Sequence, residues 1–269
     1  MRVSWKLGRV AGIDLYLHPT FLLLLAFVGA SQDGLIAAAL MAAVFGCVLL
    51  HELGHALTAR AYGIRTADIT LYPIGGVARL TRLPRKPGPE LLITLAGPAV
   101  NLAIAGAIWA GLALLGPVWV GLGLGSFPLA FLSALMGINL LLAVFNLVPA
   151  FPMDGGRVLR ALLSGPLGRL RATEIAAGLG KVLAVVFGVW SLLHGQWLHA
   201  ALAAFIYFAG AAELARVRAE EWGRDFPEDG PRPGEPLFRA RPRWVRVGHG
   251  VWLLEPVPAT DPTYGRSWR

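Results

Sequence analysis

Two histidines and a glutamate form the stretch of this sequence with the clearest chemical potential. His51, Glu52 and His55 stand in the order His-Glu-Leu-Gly-His. On a helix, residues four apart share one face, so both imidazoles can bind one metal ion with the glutamate beside them. Two histidines suit tetrahedral zinc, and the carboxylate suits a general base for water activated at the metal. The spacing therefore predicts a zinc-binding helix with hydrolytic chemistry.

A zinc centre requires a third protein ligand, and Asp154 is the preferred candidate. It lies in residues 149–156 (PAFPMDGG), where the prolines interrupt a helix and the glycines permit unusual backbone angles. Irregular backbone at membrane depth survives only where protein or a water-filled cavity covers it, and a hydrolytic site is such a cavity. His18 stays open as another ligand, and Asp154 as a mere capping or turn residue is the alternative at its position.

The sequence around these residues is that of a membrane protein. Residues 35–50 carry no charge, the whole chain has 15% charged residues, and its mean hydropathy is +0.61. A soluble globule carries about 25% charged residues. Ionisable groups within an apolar span are functional candidates by default, which strengthens the case for the three residues of the motif. A single cysteine, Cys47, excludes a disulfide within the chain.

Six apolar stretches predict a membrane α-helical fold of about six transmembrane helices with short membrane-associated β-hairpins. The hairpins are predicted where polar and apolar residues alternate around glycines, within residues 1–18, 67–83 and 243–255. We expect three regions: an N-terminal surface hairpin (1–18), a six-span core (19–215) and a polar cytoplasmic tail (216–269). The predicted spans cover about residues 19–33, 34–62, 90–115, 129–148, 174–193 and 197–214.

The distribution of basic residues predicts the orientation. The net charge is +8, yet 23 of the 24 lysines and arginines fall in the N-terminus, residues 60–86, residues 157–171 and the tail. They therefore indicate orientation and contact with a lipid bilayer rather than a nucleic-acid partner. With six spans, these segments share one side. The positive-inside rule predicts a multi-pass protein of the cell membrane with both termini in the cytoplasm.

The two motifs together resemble the site-2 protease family of intramembrane zinc metallopeptidases. The His-Glu-Leu-Gly-His motif is followed some 90 residues later by Asn146-x-x-Pro-x-x-Pro-x-Asp154-Gly-Gly, and the resemblance covers about residues 1–215. It implies one zinc ion per chain, bound by His51, His55 and Asp154. Many relatives carry an inserted PDZ domain or a C-terminal pair of CBS domains, and we expect a form that lacks both.

The resemblance also implies roles for other residues. Glu52 would be the catalytic base, and Asn146 would lie near the scissile carbonyl and stabilise the oxyanion. An interhelical hydrogen bond is the alternative for Asn146. Substrates would be single-span membrane proteins cut within their transmembrane segments, held as an added strand by the hairpin around Gly75 and Gly76. The oligomeric state stays open.

A zinc transporter or a metal-binding membrane scaffold is the competing function. A transporter needs a polar path to both faces of the membrane. The halves of the predicted spans that lie away from the basic loops hold almost no ionisable residue, and Glu52 would have no evident role. The sequence therefore favours an enzyme.

Overall fold

The computed structural model describes residues 4–30, 34–73, 75–81, 84, 86–123, 126–225, 241–248 and 251–257. The chain divides into two compact units, residues 1–219 and residues 220–269. All the candidate site residues belong to the first unit, which is mostly helical and carries a small sheet. The predicted fold class is confirmed.

The described residues form seven helices, and five of these are long and apolar enough to cross a membrane. The spanning helices make the chain a multi-pass membrane protein, and a shorter apolar helix, α1, precedes them. The helices are α1 (Pro19–Gly29), α2 (Gly34–Ala61), α3 (Pro87–Gly121), α4 (Phe127–Asn146), α5 (Asp154–Leu167), α6 (Arg169–Leu193) and α7 (Trp197–Asp225). The five candidate spans are α2, α3, α4, α6 and residues 197–221 of α7.

Two helices differ from the expectations. Helix α1 has 11 residues, which corresponds to about 16 Å of helix, well short of the roughly 30 Å hydrocarbon core. The predicted first span is therefore a short helix that packs beside α2 through Phe21 and Phe45, whose ring centroids lie 4.5 Å apart. Most of the predicted basic loop 157–171 is helix α5, because its arginines are interleaved with apolar residues at helical spacing.

The two hairpins near the N-terminus are halves of one four-stranded sheet in the order β1-β2-β3-β4. Strands β1 (Trp5–Val10) and β2 (Ile13–Leu17) are antiparallel, as are β3 (Thr66–Tyr72) and β4 (Gly75–Leu80). The first hairpin turns at Ala11 and Gly12, which both have positive φ, as a tight two-residue turn requires. Strand β2 pairs in parallel with β3. The chain therefore leaves the sheet after β2, forms α1 and α2, and returns to the same sheet at β3.

The sheet packs against the C-terminal half of α2, at the level of the His-Glu-Leu-Gly-His motif. In β2, the buried Ile13 and Leu15 alternate with half-buried neighbours, and both pack with Ile69 of β3 against Ala56, which directly follows His55. A strand with one buried face needs this alternation. The sheet therefore lies beside the candidate site.

In the second unit, β5 (Arg241–Gly248) and β6 (Val251–Val257) form an antiparallel pair. This pair is the hairpin that alternation over residues 243–255 predicts.

Candidate metal centre and active site

Three side chains from two distant parts of the chain converge in the interior. His55 Nε2 lies 3.0 Å from His51 Nε2 and 3.0 Å from Asp154 Oδ2, and His51 Nε2 lies 3.2 Å from the same carboxylate oxygen. All three residues are buried. Among the described residues, they form the group of histidine, cysteine and acidic side chains that is arranged to hold a metal ion. His18, the other candidate ligand, caps α1 instead, where its Nδ1 accepts from Thr20 N.

The separations fit a tetrahedral zinc ion. Ligand atoms about 2.0–2.1 Å from zinc at tetrahedral angles lie roughly 3.3 Å apart. His55 Nδ1 is 2.7 Å from Ile93 O, and a carbonyl oxygen only accepts, so the proton of the neutral ring is on Nδ1. Its Nε2 then carries a lone pair that faces His51 Nε2 and the Asp154 carboxylate. Such a set is stabilised by a cation at its centre, and a backbone carbonyl behind a ligating imidazole is the usual support.

A glycine on α3 leaves space for the two imidazoles. A Cβ on Gly97 would lie 2.6 Å from His51 Nε2 and closer still to His55 Nε2. Gly54, within the motif on α2, permits the same close contact from the other side. A Cβ at this position would lie 2.8 Å from the Val100 side chain and 3.0 Å from Ala96 O on α3. The two helices therefore approach at backbone distance, and the metal-binding face of α2 is open only because both positions lack side chains.

The loop between α4 and α5 delivers the third ligand. Asp154 is the first residue of α5, yet Met153 is the N-cap and makes no capping hydrogen bond, so the Asp154 carboxylate reaches the histidines instead. A Cβ on Gly155 would collide with the carbonyl of Val148, which explains the glycine. Metal binding requires the ionised form of this carboxylate.

A buried ion-pair network supports this loop. Arg160, on α5, is 1% exposed; its Nε donates to Glu90 Oε1 at 2.7 Å and its Nη1 donates to Glu213 Oε1 at 2.9 Å. The same guanidinium lies 5.1 Å from the centroid of the Phe151 ring, in the loop that precedes Asp154. Arg160 thereby ties α5 to α3 and α7 and braces the segment that presents the third ligand.

Glu52 is half-buried beside the metal-binding histidines and lies under the edge of the sheet. A Cβ on Gly76, the second residue of β4, would be 2.7 Å from Glu52 Cγ. Strand β4 is an edge of the described sheet, since β3 pairs with it on one side only. An edge strand offers unpaired N–H and C=O groups, so the candidate base lies directly beside a surface that can pair with an extended peptide.

Asn146, the other candidate catalytic residue, is the last residue of α4. Its Nδ2 donates to Leu142 O at 3.0 Å, within its own helix, and the side chain is half-buried. One amide proton and the Oδ1 atom have no part in that bond.

Sequence reasoning missed four supporting features: the Ile93 carbonyl, the space at Gly97, the space at Gly76 and the Arg160 network. Small residues clustered around Gly97 in an apolar helix signal a close helix contact. Acidic residues within apolar helices signal a buried partner, which could have pointed to Arg160. The contact between His55 Nδ1 and Ile93 O involves a backbone carbonyl, which every residue has, so no residue type in the sequence could have indicated it.

The fold and the site are those of a helical membrane protein with buried side chains arranged to hold a metal ion. The family model for peptidase family M50 matches residues 39–125 and 121–187, more than half of the chain. The chain belongs to this family, which confirms the resemblance to site-2 proteases.

Individual relatives agree with this assignment. Zinc metalloprotease MJ0392 of Methanocaldococcus jannaschii is 39% identical over 220 residues, covering 81% of this chain and 62% of that protein. The putative zinc metalloprotease sll0528 of Synechocystis sp. is 33% identical over 216 residues, covering 72% and 54% respectively. The solved Site-2 Protease from Methanocaldococcus jannaschii superposes with a TM-score of 0.57 at 35% identity, covering 78% of this chain and 95% of that one. The chain thus spans between 54% and 62% of the length of these two curated relatives.

Proposed function

We propose that this chain is an intramembrane zinc endopeptidase, with one zinc ion held by His51, His55 and Asp154. The observation that carries the proposal is the convergence of their three ligand atoms to 3.0–3.2 Å, with both histidines on a helix apolar enough to cross a membrane. The matching relatives are named as metalloproteases, and no observation on the described residues favours transport.

Zinc at this position would supply Lewis acidity, lowering the pKa of a water molecule and polarising a carbonyl oxygen. Glu52 is the proposed general base: its carboxylate takes a proton from the attacking water and passes it to the leaving amine nitrogen. Asn146 is the proposed oxyanion donor, through the amide proton that is not engaged with Leu142 O. Its place at the end of α4, just before the loop to Asp154, supports this role.

The proposed substrates are single-span membrane proteins, cut within the transmembrane segment. A peptide bond in a helix is shielded by i→i−4 hydrogen bonding, so the substrate must unwind locally before attack. The freed amide groups then need partners in a low-dielectric setting. The exposed edge of β4, beside Glu52, supports binding of the unwound segment as an added strand.

We further propose that the chain lies in the cell membrane with its termini and basic segments in the cytoplasm. The positive-inside rule supports this orientation. The parallel pairing of β2 with β3 also supports it. Strand β2 precedes α1 and β3 follows α2, and strands of one sheet lie on one side of the membrane. Cleavage then takes place near the cytoplasmic face.

A pair of variants tests the proposal. Glu52→Gln keeps the shape of the side chain but removes the base, so we expect one bound zinc ion and no cleavage of a co-expressed single-span substrate. Asp154→Ala removes a ligand, so we expect zinc content by elemental analysis to fall along with cleavage. Continued cleavage by Glu52→Gln would refute the catalytic assignment. Unchanged zinc in Asp154→Ala would refute the ligand assignment.

A further inference from the structure

A second concave site lies where α2 ends, apart from the metal centre. Its volume is about 550 Å³, and it opens between the β1–β2 turn and the segment that connects α2 to β3. Three arginines line it, Arg9, Arg60 and Arg65, and no acidic residue is among its lining residues. A cavity that gathers three guanidinium groups without a carboxylate is built for an anion.

The arginines keep donors for a ligand. Arg60 Nη1 donates to Ala11 O at 2.7 Å, which uses one of five N–H groups and anchors the hairpin turn above the cavity. Arg65 makes no side-chain ion pair or hydrogen bond with any of the described residues. Arg9 Nε lies 3.6 Å from Asp14 Oδ1, but that carboxylate is held more closely by Lys6 at 2.8 Å. The positive charge of the cavity is therefore largely uncompensated.

The remaining lining is amphipathic. Ile13, Ala56 and Ile64 are buried at the apolar floor, with exposures of 4%, 0% and 4%. Thr66 Oγ1 is also buried at the cavity, with no hydrogen-bond partner among the described residues. A hydroxyl and several guanidinium groups above an apolar floor match a phosphate group attached to an apolar body.

We propose that this cavity binds a phosphate group through Arg9, Arg60, Arg65 and Thr66. The cavity lies at the end of a candidate membrane span, where the headgroup region of the bilayer begins, so an anionic phospholipid can supply the phosphate. Free inorganic phosphate has the same chemistry and is the other source. Ala56 and Arg60 line the cavity and belong to helix α2, which also carries His51 and His55. The bound anion would therefore link the β1–β2 hairpin to α2 just after His55.

The test uses the full chain, delipidated in dodecylmaltoside micelles. Native mass spectrometry measures binding of phosphatidylglycerol, of diacylglycerol as a lipid without phosphate, and of phosphatidylglycerol in competition with inorganic phosphate. We expect one tightly bound phosphatidylglycerol, no comparable diacylglycerol, and at least about a tenfold loss of affinity in the double variant Arg60→Gln/Arg65→Gln. Displacement by millimolar phosphate would identify free phosphate as the source, and resistance would identify the lipid.

Two further variants keep the result interpretable. Arg171→Gln/Arg218→Gln removes the same charge from the same basic side but outside the cavity, and we expect its affinity to change less than about twofold. The single variant Arg65→Glu keeps the hydrogen bond from Arg60 to Ala11 O. A loss of phosphatidylglycerol binding in this variant therefore cannot come from an unfolded hairpin. Unchanged zinc content verifies that the variant is folded. Equal binding by wild type and both cavity variants, or an equal loss in the control, would overturn the proposal.

Discussion

Replacing Gly97 by alanine is the sharpest perturbation of the metal centre that changes none of the three ligand residues. The added Cβ would lie 2.6 Å from His51 Nε2, whereas an ordinary contact begins at 3.4 Å. The imidazole must therefore retreat by about 0.8 Å, while metal ligation tolerates only about 0.2 Å. His55 cannot yield easily, because its Nδ1 is held by Ile93 O. Helix α3 cannot approach differently, because Gly54 already packs on the backbone of Ala96.

The expected effect is a large loss of zinc affinity. Changes behind a ligand typically weaken binding by about 10- to 100-fold, and this change displaces the ligand atoms themselves. We therefore expect at least about a 100-fold loss, equivalent to about 2.8 kcal/mol. Competition with a chromophoric chelator measures the affinity, and circular dichroism checks the helical content.

The matched control is Gly106→Ala, on the same helix, where an added Cβ meets nothing within 4 Å. This control should keep the affinity of the wild type. A Gly97→Ala protein that binds zinc as tightly as the Gly106→Ala protein would refute the placement of α3 against the histidines.

Three further predictions concern the residues around the site. Arg160→Met leaves the buried Glu90 and the half-buried Glu213 without their guanidinium partner, so chemical unfolding in micelles should show about 3–5 kcal/mol of destabilisation. Arg218→Gln, whose pair with Glu174 is exposed, should cost less than about 1 kcal/mol. Equal effects of the two substitutions would contradict the Arg160 network. Gly76→Val pushes on Glu52, so cleavage should fall while zinc content by elemental analysis stays at the wild-type level, and loss of zinc instead would show that the strand touches the ligands. Asn146→Leu should lower the cleavage rate by about 10²- to 10³-fold with zinc unchanged, and a rate within a few fold of wild type would leave Asn146 a packing residue.

The site was more predictable from sequence than the tertiary arrangement around it. Helix geometry alone places His51 and His55 on one face of a helix. The prolines and glycines around Asp154 predict an irregular segment at the end of a span. Alternation also located both halves of the sheet. It did not reveal that β2 pairs with β3, because alternation indicates which face is buried but not which distant strand lies alongside.

The prediction of a loop over residues 157–171 was wrong, because it took a cluster of arginines as the sign of a loop. The arginines of residues 157–171 are compatible with helix α5, since the buried one, Arg160, pairs with Glu213 and Glu90, which lie 53 and 70 residues away in sequence. Short-range patterns cannot show such partners. For the same reason they cannot show which carbonyl, here that of Ile93, holds His55 in its metal-binding tautomer.

The position of the cut in a reconstituted substrate tests the central claim most directly. The purified chain and a single-span substrate are placed in one liposome, and mass spectrometry identifies the new termini of the products. We expect new termini within the apolar segment of the substrate with the zinc-loaded wild type, and none with Glu52→Gln. Termini confined to the polar flanks of the substrate, or identical products from both proteins, would contradict it.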